Sequence, residues 1–236
     1  MGVQLNKLAF NQPDYGEQAL EIALDMVEKG INLVVIDSVS ALTPRAEIEG
    51  TMENSSIGLQ ARMMGQALRK LTGVVSKKKA VVIFINQFRN KIGDMFSPIT
   101  TSGGNALKFY ASLRLEVLMR KAKATEIKGV TKLLGKEEET SLGNVQKIKT
   151  IKNKVFAPFK ECEVSLYYGM GVDIVSDWYQ VALNMGLISK GFVTEGNGKQ
   201  SGYKLIDSKG QEHKFAGDTL ETGLPLLMEI MHKAYK

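Results

Sequence analysis

The sequence predicts an α/β fold with a small α+β domain at its C-terminal end, and three observations carry that prediction. Two apolar runs, "INLVVID" and "AVVIFIN", each end in polar residues, as buried parallel strands do at their carboxyl ends. Each run follows an amphipathic helical stretch, and strand alternating with helix is the pattern of a parallel sheet covered by helices. From about Asp173 the pattern changes to a helix, Gly-rich segments and a last helix, which divides the chain into a core over 1–172 and a small domain over 173–236.

The elements follow in order. "PDYGEQALEIALDMVEKG" opens on Pro13-Asp14, carries Ala19, Ile22, Ala23, Met26 and Val27 at helical spacing and stops at Gly30. The strand over 31–36 comes next, then "TPRAEIEGTMENSS", which has no periodicity and reads as a polar loop. A helix is expected from Ile57 to Ser76, with Met63, Ala67 and Leu71 on one face, Met64 and Leu68 beside them, and Arg62, Gln66 and Arg69 on another. "AVVIFINQ" is the second strand. The segment after it is too long for a mere connection, and such loops in compact domains are functional. A short helix from Asn105 and a strand over Leu113 to Met119 follow. Residues 121–144 read as an exposed excursion, with "KEEE" at 136–139 as a solvated turn, and 145–155 and 161–168 as strands. A helix from Val175 to Met185, Gly-rich segments holding Tyr203 and Phe215, and a helix near 219–234 complete the chain, with no internal repeat.

Composition narrows the function classes. With 236 residues, 44% of them hydrophobic, the chain can bury a core of ordinary domain size plus an appendage. The single Cys162 excludes a disulfide framework and fits a reducing compartment. No apolar run is long enough to span a bilayer, and "MGVQLNKLAFNQPDYGEQ" lacks the apolar stretch of a signal peptide, so the expected location is cytoplasmic with no membrane partner. Asn6 stands where an N-myristoylation signal wants Ser or Thr. The net charge of +6 gives only weak support for a polyanionic partner. "KKK" at 77–79 fits the C-terminal end of a helix. His213 and His232 have no partner at metal-ligand spacing and no Ser/His/Asp set can be built on them, while Cys162 falls within a strand.

Four constellations bear on chemistry. Asp37 and Asn86-Gln87 end the two strands, at the edge where α/β sheets bind ligands. A carboxylate there suits Mg²⁺ and an amide suits sensing a terminal phosphate, although Asp37 could equally cap the next turn. In "TTSGGNALKFY" the backbone amides of Gly103 and Gly104 and the helix starting near Asn105 suit an anion, or form an ordinary loop and cap. The Arg62, Gln66, Arg69 stripe could track a phosphate backbone or simply face water. Lys152 and Lys154, two apart on a strand, could share an anion or guard a sheet edge. A nucleotide site of this kind needs a G-x-x-x-x-G-K-[ST] loop, and the chain has none. "GVTKLLGKE" has one residue too many and Glu137 where a hydroxyl should stand, and "GFVTEGNG" has Asn197 in place of the lysine.

Taken together and in order, "VVIDSVSALTPRAEIEG", "ARMMGQALRKL", "FINQFRNKIGDMF", "TTSGGNALKFYAS" and "KNKVFAPFK" closely resemble the bacterial RecA recombinase family. The resemblance runs from residue 3 to about 171, and the C-terminal segment resembles the family only in size and position, as in phage-encoded relatives. It implies a RecA-like ATPase core, N-terminally incomplete: the oligomerisation helix, the phosphate loop and the catalytic glutamate belong to a part not in this sequence. The implied activity is that of a filament-forming, DNA-dependent ATPase that pairs single-stranded DNA with a homologous duplex in recombination and repair, in a bacterium or encoded by its phage. ATP and Mg²⁺ are the implied cofactors, given a complementing segment with the phosphate loop. The implied partners are single-stranded and duplex DNA, other copies in a filament, and that segment.

The resemblance also assigns residues. Asp37 and Ser38 fall at the Mg²⁺ side of the ATP site, and Gln87 on the glutamine that couples the γ-phosphate to the DNA loop. Lys152 and Lys154 match the pair reaching the ATP of the adjoining protomer, Lys108 and Phe109 match interface residues, and Tyr168-Gly169 match the segment beside adenine. The first DNA loop corresponds to Glu47–Gly58 and the second to Phe88–Ser102. Arg62, Arg69, Arg89, Lys91, Gly103, Gly104 and Asn105 fall on phosphate-contacting positions, and Ile57 and Ile92 on positions wedging between base triplets. Phosphate contacts suit a protein that must accept any sequence. Ile57 replaces the usual methionine, and the second loop is one residue shorter around "FSPITT".

Overall fold

The computed structural model describes residues 3–51, 58–90, 99–119, 126–133, 136–195, 198–206, 210–215 and 220–234. The chain forms two compact units, Val3–Arg114 and Leu115–Lys236.

In the first unit, helix α1 (Gly16–Glu28) buries Leu20, Ala23 and Val27, spaced three and four apart so that they share one face. It closes with the Gly30 N–H on the Val27 carbonyl (3.1 Å) and the Ile31 N–H on the Met26 carbonyl (3.0 Å), which satisfies carbonyls the helix end would leave orphaned. Strand β1 (Leu33–Asp37) runs into a 3₁₀ turn at Val39–Ala41. The stretch expected as a loop contains a short helix α2 (Arg45–Glu49), preceded by Pro44. The Arg45 backbone N–H donates to Glu17 Oε2 at 2.9 Å, a tie between distant segments that helical periodicity does not record. Helix α3 (Leu59–Lys78) buries Met63, Met64, Leu68 and Leu71 and carries Lys77 and Lys78 in its last turn. Strand β2 (Val81–Ile85) pairs in parallel with β1, Leu33 opposite Val81 and Asp37 opposite Ile85. Val34 and Ile36 point into a core with Leu20, Ala23, Val27, Met64 and Leu68. Two three-residue strands, β3 (Phe88–Asn90) and β4 (Ile99–Thr101), pair antiparallel, and helix α4 (Ala106–Tyr110) follows.

Strand β5 (Leu113–Met119) leads into the second unit and pairs with β7. The expected excursion is a long antiparallel hairpin of β6 (Glu126–Leu133) and β7 (Lys136–Asn153). "KEEE" therefore lies in β7, opposite Val130 to Leu133, and is not a solvated turn. Its run of like charge hides a strand that cross-strand pairing makes, with the Lys128 ammonium 3.0 Å from Glu139. Strand β8 (Glu161–Tyr167) adds to β7 and the two-residue β9 (Gly171–Val172) to β8. Helix α5 (Ile174–Asn184), whose N-cap Asp173 accepts the Ser176 N–H at 3.0 Å, is followed by an antiparallel sheet of β10 (Ile188–Glu195), β11 (Gly198–Ile206) and β12 (Glu212–Phe215), and by α6 (Leu220–Ala234). These last elements gather a core of their own, Tyr179, Ala182, Ile188, Leu205, Leu227 and Met231.

Candidate nucleotide and nucleic-acid face

Parallel pairing brings the carboxyl ends of β1 and β2 side by side, so Asp37 and Asn86-Gln87 lie along one edge of the first unit. Asp37 and Gln87 are exposed and Ser38 is half-buried. The Asp37 carboxylate has no hydrogen-bond or ion-pair partner among the described residues. A free carboxylate beside a hydroxyl fits one side of a Mg²⁺ site, since Mg²⁺ keeps several waters and takes one or two carboxylates plus substrate phosphates. Among the described residues no cluster of three or more His, Cys, Asp and Glu could hold a metal by itself.

The segment that closes the second loop is anchored at this edge. Asn86 Nδ2 donates to the Ser102 carbonyl at 2.9 Å while Asn86 Oδ1 accepts the Gln87 N–H at 2.8 Å, and Ser40 Oγ lies 3.2 Å from Ser102 Oγ. Gly103 and Gly104 have φ of +86° and +71°, in the left-handed region that favours glycine. They also pack where no side chain fits: a Cβ on Gly103 would stand 2.8 Å from Val39 Cγ1, and one on Gly104 would stand 2.6 Å from Ala61 Cβ. Asn105 is the N-cap of α4, without a side-chain cap bond.

Arg62, Gln66 and Arg69 are exposed on α3, opposite its buried methionines and leucines, with Arg69 Nε donating to the Gly65 carbonyl at 3.1 Å. Arg89 lies on β3 opposite Thr100, so β3 and β4 form the stem of the second loop. Arg89 lines an open cavity of about 330 Å³ together with Ser40, Thr43, Pro44, Glu47, Gln60 and Ser102. The first unit thus joins Asp37, Ser38, Gln87, Arg62, Arg69, Arg89, Gly103, Gly104 and Asn105 in one framework. Ile57, Lys91 and Ile92 lie outside the described residues.

The remaining expected residues are placed individually. Lys108 is half-buried and Phe109 is exposed on α4. Lys152 ends β7, but Lys154 has left the strand. Asn153 Oδ1 accepts the N–H groups of Val155 (3.0 Å) and Phe156 (3.1 Å) and turns the chain there, so the two lysines do not share a strand face. Nearby, Glu161 takes hydrogen bonds from Lys147 and Lys149, which hold its carboxyl below the usual carboxylate range. Tyr168 follows β8, exposed, with Asn144 Nδ2 donating to its hydroxyl at 3.1 Å, and Gly169 comes next.

Sequence reasoning missed Gln60, Ser40 and Ser102 as members of this face. The signal available was a lone amide in the first turn of an otherwise apolar helix start.

Comparison with known proteins agrees with this arrangement. The family model described as the RecA N-terminal domain matches residues 1–173. The protein named Protein RecA from Thermotoga neapolitana is 48% identical over 214 residues, covering 90% of this chain and 55% of that protein. Protein RecA from Streptococcus mutans is 45% identical over 236 residues, covering 99% and 57%. The chain spans little more than half the length of these curated relatives. With nearly three-quarters of its length matched by the family model, the chain belongs to the RecA family.

Proposed function

We propose that this chain is part of a DNA strand-exchange protein of recombination and repair, which binds single-stranded DNA in an ATP-dependent filament in the bacterial cytoplasm. The observation that carries the reading is the single framework linking the ends of β1 and β2 to the Gly103–Gly104 turn and to the exposed arginines of α3. Arg62, Arg69 and Arg89 supply positive charge for phosphates, and the backbone amides around Gly103 and Gly104 add donors, so affinity follows the backbone and not the base sequence.

In the nucleotide part of the reading, bound Mg²⁺ would neutralise phosphate charge. The Asp37 carboxylate and Ser38 hydroxyl would orient the metal's water shell, and the Gln87 amide, exposed at the same edge, would sense the terminal phosphate. The phosphate loop has to come from a complementing segment. An uncovered apolar face on the β1–β2 sheet supports a place for it, since parallel sheets of this class are covered on both sides. Lys152, Lys154, Lys108 and Phe109 would serve contacts between protomers, and Tyr168-Gly169 would lie by the adenine.

A non-catalytic DNA-binding or filament-modulating role is the second reading, favoured by the lack of a G-x-x-x-x-G-K-[ST] motif in these residues. The deciding experiment mixes the chain with the portion of the Streptococcus mutans relative that precedes the matched region. DNA-stimulated ATP hydrolysis only in the mixture supports the first reading. Salt-sensitive oligonucleotide binding without hydrolysis in any mixture supports the second, and absence of DNA binding overturns both.

A further inference from the structure

Gln60 lies in the first turn of α3 and uses its whole amide on two other segments. Its Nε2 donates to the carbonyls of Val39 (2.9 Å) and Leu42 (3.0 Å), and its Oε1 accepts the Gly103 N–H at 3.0 Å. The orientation is dictated by chemistry: flipped, the amide would set oxygen against two carbonyls and its NH₂ against a donor. Val39 and Leu42 flank the 3₁₀ turn that follows Asp37-Ser38, and Gly103 begins the turn that closes the second loop. One half-buried side chain therefore joins the exit of β1, the base of the loop and the helix bearing Arg62 and Arg69. Ser40 and Asn86 bind Ser102 from the same strand ends, and the close approach of Gly103 to Val39 leaves no room for slippage.

We propose that Gln60 is a positioning residue: it holds the Gly103–Gly104 turn in fixed register with the arginine face of α3, so that the two meet nucleic-acid phosphates as one surface. This rests on the reading of that face as the DNA-binding one. Residues 43 apart in sequence are tied by one amide, and movement at the end of β1 would reach the loop through the same three hydrogen bonds.

The test compares the full chain with Gln60→Leu, which keeps the volume and loses all three bonds, and Gln60→Glu, which keeps the acceptor for Gly103 and loses both donors. Amide hydrogen exchange is read at Gly103 and across α1, and binding of a fluorescent oligo(dT) is read by anisotropy. Gln60→Leu is expected to speed exchange at Gly103 by about tenfold or more with α1 unchanged, and to weaken oligo(dT) binding by about fivefold or more. Gln60→Glu is expected to keep Gly103 protected and to fall between the two in affinity. Unchanged exchange at Gly103 in Gln60→Leu, or equal acceleration in α1, overturns the role. Local acceleration with unaltered oligo(dT) affinity overturns it too, while leaving the DNA reading intact. A wild-type chain that binds no oligo(dT) at low salt overturns the DNA reading and this role with it.

Discussion

Val35 and Ile83 face each other across the parallel β1–β2 ladder, on the side of the sheet opposite the core that α1 and α3 build, and both remain about half exposed at 51% and 44%. Leu33, Val81 and Ile85 extend the same apolar strip. Covering such a strip stabilises by on the order of 1 kcal/mol per side chain, because roughly half of each is still wet. The isolated chain is therefore expected to bind the dye ANS, and Val35→Thr with Ile83→Thr to reduce that fluorescence and to weaken association with the phosphate-loop portion of the Streptococcus mutans relative. Dye binding unaltered by the double substitution would show that the strip is not the exposed apolar site.

The Gly103–Gly104 turn gives a stability test. Gly103→Ala and Gly104→Ala each combine a positive φ with a Cβ contact under 3 Å. Each is expected to cost about 1–3 kcal/mol. Gly73, in the middle of α3 with nothing within 4 Å of its added Cβ, is the control, and Gly73→Ala is expected to stabilise by about 0.5–1 kcal/mol. Urea midpoints measure all three, and a neutral Gly103→Ala would contradict the packing described here.

Replacing Arg62, Arg69 and Arg89 together by Ala should lower both oligo(dT) affinity and its salt dependence. Three lost phosphate contacts reduce the slope of log K against log salt by about 2 for a single strand. A reduced affinity with an unchanged slope would mean that these arginines act through the fold and not on phosphates.

Tyr179 provides a pH test in the C-terminal core. Its hydroxyl donates to the Leu220 carbonyl at 3.0 Å, and burial, with Tyr203 adding in the same direction, pushes its pKa up to about 12. The unfolded chain thus releases this proton first, near pH 10, so the stabilising contribution is whole below about pH 10 and is lost as the pH rises towards 12. Tyr179→Phe is expected to cost about 0.5–1.5 kcal/mol at neutral pH through the lost hydrogen bond. Its deficit relative to wild type should shrink between pH 10 and 12, as followed by thermal melts. A constant deficit across that range would contradict the assignment.

Much of this architecture was legible in the chain. α1, α3 and the two parallel strands announce themselves through local periodicity, because one face or one alternation meets the core within a single continuous segment. The hairpin over Glu126–Asn153 was not legible, since like-charged and glycine-containing stretches become strands only by pairing with each other. The same holds for β10 to β12, which read as Gly-rich segments. Lys152 and Lys154 looked like one face of a strand until the Asn153 side chain, bonding two following amides, ended it between them.

By itself the sequence determined the α/β class, the residue types at the carboxyl ends of β1 and β2, and the family, because these reside in contiguous runs. Only the tertiary structure decided that Gln60, Ser40 and Asn86 converge on Ser102 and Gly103, and that one face of the β1–β2 sheet stays bare. The physical reason is the same for both. A hydrogen bond between segments about 16 to 62 residues apart, and the burial of a strand's second face, depend on which neighbours the folded path brings near, and no local pattern of residues encodes that.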